Sequence, residues 1–164
     1  MKKTLQPSVY NMTRVVSSAR PNDRYEYLFA SNDYHEQITS LKQLRKIGTW
    51  NAYMGLFCNG VAIGYGSLAR VNWSRSHMHT ESMRLHKNFR RKGHGIALYM
   101  AVIDCARKLG VKRLYASTAL NKFSTRMWRV KLKRYGFDVK TVSKSHCVHA
   151  CKHCTKTARY YINL

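Results

Sequence analysis

At 164 residues the chain can bury one core without disulfides and is too short for several domains, so residues 1–164 are read as a single domain. Hydrophobic residues make up 45% and aromatics 12%, which excludes a disordered basic tail, and no run approaches the roughly 20 apolar residues that span a membrane. With no such run no membrane partner is expected, and thirty Lys and Arg against seven Asp and Glu give a net charge of +23, a field that draws polyanions.

The excess is uneven. Residues 1–80 hold 10 basic and 4 acidic side chains, whereas residues 81–164 hold 20 and 3. Nucleic acid or nucleoprotein is the first partner expected of such a field, and an acidic protein the second. The N-terminus starts with Lys2 and Lys3 but has no apolar h-region, so no signal peptide is read. Of five cysteines, three fall between Cys147 and Cys154, a pattern of free thiols or metal ligands rather than a disulfide framework. A reducing, cytoplasmic location follows as the expectation.

In chain order, a first strand is placed within Ser8–Ser18. Ile38, Leu41, Leu44 and Ile47 recur at helical spacing before Gly48, which predicts a helix over Ser31–Ile47. Ala52–Cys58 and Val61–Val71 are apolar runs separated by Asn59-Gly60, a two-residue hairpin signal because both turn positions need positive φ. Met78–Phe89 reads as a strand with Met83, Leu85 and Phe89 on its apolar side. Arg90–Gly95 is a basic loop punctuated by glycine. Ile96–Leu109 follows as a largely buried helix closed by Gly110, its polar residues Asp104, Arg107 and Lys108 on one narrow arc. Val111–Ser117 is β-like, and Asn121–Tyr135 is a helix ended by Gly136. Phe137–Ser143 and Arg159–Leu164 make a final strand pair joined by a Cys/His-rich excursion, residues 144–158. Strands and helices alternate throughout, so the fold class is α/β in a mixed, α+β-like form.

A strand running into a glycine loop and then a helix is a ready anion site, since free N–H groups of the first turn face the ligand with the helix dipole behind them. Arg90-Arg91-Lys92-Gly93-His94-Gly95 is neither a Walker loop nor a dinucleotide fingerprint. Taken from Leu85 through Leu98, with Asn121 and Tyr135-Gly136-Phe137 downstream, it resembles the acetyl-CoA motif of the GNAT superfamily of N-acetyltransferases. The resemblance implies a central, mostly antiparallel sheet flanked by helices, with the Cys/His segment as a hairpin extension. It implies acetyl-CoA as cofactor, its pyrophosphate cradled by backbone amides of Arg91, Lys92, Gly93, His94, Gly95 and Ile96, with Arg90 adding charge. The strand at Met83 and Leu85 would pair with the pantetheine arm, and Asn121 would belong to the same cofactor site. Homodimers are common in the family.

The resemblance also suggests the catalytic groups. Glu81, four residues before Leu85, stands where the family often places a base, and partial burial would tune it. Alternatively it is a strand Glu paired with a nearby cation. Seven residues after the helix Asn the family often has a Tyr that protonates the leaving thiolate. Here that residue is Trp128, whose indole has no proton to give at neutral pH; Tyr135 is the candidate substitute acid, although its spacing equally suits core packing, and the alternatives are water, another acid, or lost chemistry.

Two further clusters stand out. Lys122, Arg126, Arg129 and Lys133 recur at spacings of four, three and four, a stripe able to follow phosphates or, equally, a solvated face. Cys147, His149, Cys151 and Cys154 carry the ligand types of a structural zinc site, or form a free Cys/His-rich loop. The leading function is an acetyl-CoA-dependent N-acetyltransferase acting on an amine of an acidic macromolecular target (RNA, nucleoprotein or nucleic-acid-bound protein). The alternative is a catalytically inactive relative that binds nucleic acid or a nucleoprotein machine as a regulator.

Overall fold

The computed structural model describes residues 10–11, 23–31, 51–71, 74, 76–142 and 158–164. Eight strands form one sheet: β1 (Tyr10–Asn11), β2 (Tyr25–Ser31), β3 (Asn51–Cys58), β4 (Val61–Arg70), β5 (His77–Leu85), β6 (Arg113–Tyr115), β7 (Lys140–Thr141) and β8 (Tyr160–Asn163). Their order across the sheet is β1-β2-β3-β4-β5-β6-β8-β7. Every pairing is antiparallel except β5 with β6. The mixed α/β class and the mostly antiparallel sheet are as the sequence implied.

The Asn59-Gly60 turn joins β3 to β4 with φ of 52° and 79°, the doubly left-handed geometry that its sequence demands. The expected strand over Ser8–Ser18 is described only at Tyr10–Asn11. The expected helix over Ser31–Ile47 lies outside the described residues except for Ser31, which ends β2. That strand was not anticipated, although Tyr25 and Tyr27 alternate onto one buried face.

Helix α1 (His94–Lys108) begins two residues earlier than expected and packs on the sheet. Ile96, Leu98, Met100, Val102, Ile103 and Cys105 are all buried, each large aliphatic contributing about 1.5–3 kcal/mol of transfer free energy. Its polar arc is fastened to β2: the Tyr27 hydroxyl donates to Asp104 Oδ2, and Lys108 Nζ reaches Tyr27 Oη at 3.0 Å and Asp104 Oδ2 at 2.8 Å. Leu109 and Gly110, the latter at φ 78°, close the helix.

Helix α2 opens α-helical (Lys122–Arg126), widens to a π-helical turn (Met127–Lys131) and closes α-helical (Leu132–Arg134). Nothing in its hydrophobic spacing announced the wide turn. Phe89 does not extend β5 as expected. The strand stops at Leu85, and Lys87–Phe89 form a 3₁₀ turn that redirects the chain toward α1. The terminal strands are likewise shorter than expected, but β7 and β8 do pair.

Candidate functional site

The site starts from an interruption in the sheet. Strands β5 and β6 pair only through His77↔Arg113, Met78↔Leu114 and His79↔Tyr115. Beyond that, Ser117 N–H donates to Thr80 Oγ1 at 3.0 Å, and Ala116 N–H turns to Tyr160 O of β8. β5 runs on to Leu85 with β4 on its other side, so its edge from Glu81 onward has no strand partner among the described residues. Such an edge is a template for an extended ligand.

A bulge lies where this edge begins. Gly66 faces Met83 while Leu68 faces Thr80, so Glu81 and Ser82 together oppose Ser67, whose Oγ accepts the Ser82 N–H at 3.0 Å. The bulge breaks the alternation of faces, which leaves Glu81 and Ser82 both exposed. Gly66 keeps this stretch close to α1, because a Cβ there would sit 2.8 Å from Met83 Sδ and 3.1 Å from Val102 Cγ2.

After Leu85 the chain bends into the glycine loop. Arg90 Nε donates to Leu85 O at 2.9 Å, bracing the loop against the end of the strand. Arg91 is left-handed at φ 60°, and Gly93, the N-cap of α1, at φ 92°. These turns aim backbone amides into a concavity at the start of a 15-residue helix whose first turn holds no acidic residue. Across the cleft Asn121 caps α2, its Oδ1 accepting from Phe123 N and Ser124 N, both at 2.9 Å.

Together these elements bound a cleft of about 590 Å³. Met83, Leu85, Leu98, Tyr99 and Met127 supply its apolar lining, and Arg84, Arg90, Arg91, Arg126 and Lys131 its charge, with no carboxylate among the lining residues. An elongated apolar arm ending in several phosphates suits both the lining and the charge. The glycine cradle, the open strand edge and the cationic rim therefore fit coenzyme A.

Of the expected cofactor residues, Met83, Leu85, Arg90, Arg91, Gly93, Gly95 and Asn121 line the cleft. Lys92, His94 and Ile96 do not. Ile96 is buried in the core, and the His94 ring is buried, with Nδ1 2.8 Å from Tyr25 Oη and edge-on contacts to Tyr25 and Phe89. Buried His94 and Ile96 can offer the ligand only backbone, whereas Lys92 is exposed.

The catalytic residues are less well gathered. Glu81 is exposed and outside the lining, so the partial burial expected to tune it is missing. Tyr135 lies outside the lining as well, 39% exposed at the far end of α2. Trp128 is wholly buried in α2 and packs edge-on against Tyr99, with ring centroids 6.1 Å apart. Tyr99 itself was missed. It reads as a core aromatic within an apolar helix, yet it reaches the cleft, and burial pushes its hydroxyl up to about 12.

Lys122, Arg126, Arg129 and Lys133 are all exposed, and Arg126 belongs to both the stripe and the cleft. The whole set Cys147, His149, Cys151 and Cys154 lies outside the described residues.

The acetyltransferase (GNAT) family model matches residues 13–133, well over half of the chain. The chain belongs to the GNAT acetyltransferase family. The fold agrees: a GNAT acetyltransferase from Staphylococcus aureus is 15% identical with a TM-score of 0.50, over 71% of this chain and 70% of its own. Escherichia coli ElaA is 10% identical with a TM-score of 0.51, over 85% and 99%. No curated protein matches the sequence at a significant level. Identities this low speak for the fold alone.

Proposed function

We propose that this GNAT protein is an acetyl-CoA-dependent N-acetyltransferase whose acceptor is an amine on an acidic macromolecule: RNA, nucleoprotein or a nucleic-acid-bound protein. One juxtaposition carries the reading. Among the described residues, the left-handed turn at Gly93 and the unpaired edge of β5 open onto one cleft lined by five cations and no carboxylate.

Bound acetyl-CoA supplies an activated acetyl group as a thioester. Amides from Arg91 to Ile96 receive the pyrophosphate, and the Arg90 guanidinium, fixed through Nε, adds charge from its remaining N–H groups. The β5 edge at Met83–Leu85 would hold the pantetheine arm and would offer an N–H to the thioester carbonyl, an oxyanion-type contribution. Glu81 takes the amine proton through water. Tyr99 lines the cleft where Tyr135 does not. Its hydroxyl stays protonated at neutral pH and donates a hydrogen bond to the leaving sulfur.

The stripe Lys122, Arg126, Arg129 and Lys133 steers the acidic target toward the same mouth. Zinc at Cys147, His149, Cys151 and Cys154 is proposed on donor chemistry alone. A cytoplasmic location and a homodimer belong to the same reading, from cysteine usage and family habit.

Trp128 at the family's acid position and the exposure of Glu81 favour a second reading, a GNAT fold kept for binding without turnover. Radiolabelled acetyl-CoA offered with RNA, aminoacyl-transfer RNA and ribosomes separates the two. The enzyme reading expects label in a macromolecular fraction as an amide stable to hydroxylamine, abolished by Glu81→Gln. Coenzyme A binding with no transfer to any of these acceptors would leave the binder.

A further inference from the structure

Outside the lining of the cleft, three chemically distinct donors converge. Asp23 just before β2, Cys58 at the end of β3 and His94 at the start of α1 each offer one ligand atom, and these atoms all lie within 4.8 Å of one another. The residues are far apart in sequence and are brought together by the fold: Tyr25 and Cys58 are register partners across β2 and β3, and His94 follows Gly93 directly. We propose that Asp23, Cys58 and His94 form a binding site for a divalent metal ion of the zinc class, separate from the Cys147–Cys154 cluster.

The donor chemistry selects the ion. A thiolate, an imidazole and a carboxylate are the set zinc takes in tetrahedral sites, whereas calcium and magnesium want oxygen alone. Zinc bond lengths would place these donors roughly 3.3–3.6 Å apart, so the present cluster closes on the ion by about 1 Å of side-chain adjustment. Cys58 and His94 are buried and Asp23 is partly so, which leaves the fourth position reachable by water. The Tyr25 hydroxyl, 2.8 Å from His94 Nδ1 and 3.4 Å from Asp23 Oδ2, already holds the ring and carboxylate in place, as outer partners of metal ligands do.

Charge points the same way. In a chain with 30 Lys and Arg and only 7 carboxylates, Asp23 has no cationic partner among the described residues; neighbouring Arg24 pairs with Glu26 instead. Among the described residues, Asp23 meets the long contacts from Tyr25 and from Asn59 Nδ2, each 3.4 Å. Binding converts the Cys58 thiol to a thiolate and releases its proton to solvent. The two anionic ligands then balance the dication. The ion would tie the ends of β2 and β3 to the residue that follows Gly93, fixing the loop.

The test uses the full chain carrying Cys147→Ser, Cys151→Ser and Cys154→Ser, so that only Cys58 and fully buried Cys105 remain as thiols. Cobalt(II) is titrated while the near-ultraviolet thiolate-to-cobalt charge-transfer band is followed, with no acetyl-CoA present. One equivalent should bind with the band, zinc should displace it, and Cys58→Ser should abolish it. Asp23→Asn, at a partly exposed position, should weaken cobalt binding by about tenfold or more while circular dichroism stays unchanged. A chain that develops no band, a band that survives Cys58→Ser, or an Asp23→Asn affinity equal to the parent's would overturn the proposal. Because the spectrum is read without acyl donor, its failure leaves the acetyltransferase reading untouched.

Discussion

The two walls of the cleft are built differently. The wall made by β5 and the glycine loop works through backbone: an unpaired strand edge, two left-handed residues and the start of a buried helix. The wall made by α2 works through side chains: Trp128 is buried behind it, a π-helical turn widens it, and a row of cations is exposed along it. Backbone geometry needs only a few glycines and a well-packed helix, so it leaves a strong imprint on sequence. Proton transfer needs one group at one place, and a single substitution reassigns it. Donor binding therefore rests on backbone, and proton transfer on single side chains.

Several measurements would break or sharpen that contrast. The largest effect belongs to Trp128→Ala. Emptying a wholly buried site should cost about 3–5 kcal/mol in urea unfolding, with Tyr99 losing its packing partner. A loss under about 1 kcal/mol would mean that α2 does not pack as described. Next comes Glu81→Gln, expected to lower kcat by about 100-fold or more while the donor Kd is unchanged. Equal loss in both would make Glu81 a binding residue and erase the division between the walls. Smallest is the pair Arg126→Ala and Arg129→Ala. RNA affinity should fall and the slope of log K against log salt flatten by about 1 to 2, with no dependence on RNA sequence. An unaltered slope would make the stripe a merely solvated face.

Much of the donor half was legible in advance. The Asn59-Gly60 hairpin, the buried face of α1, the loop before it and the capping by Asn121 each follow from residue chemistry that acts locally. What escaped depends on partners distant in the chain. The bulge at Glu81 and Ser82 exists because of the register that β4 imposes, and it removes the burial that alternation promised. Tyr99 looks like any aromatic of an apolar helix until β5 and β6 part beside it. The resemblance asks only a backbone amide of His94, and gave no sign that the fold turns its ring inward to Tyr25. β2 could have been read from the alternation of Tyr25 and Tyr27, but the wide turn in α2 left no such mark.

The central claim is that Gly93 and the amides around it form the acyl-donor site. Calorimetric titration with acetyl-CoA, on protein freed of nucleic acid by high salt, tests it directly when the parent is compared with Gly93→Asp. At φ 92° a side chain is strained, and a carboxylate there would oppose the pyrophosphate. The account predicts micromolar binding to the parent, weakened about 100-fold or more in the variant while the far-ultraviolet spectrum is retained. No binding to the parent, or equal binding by both proteins, would contradict it.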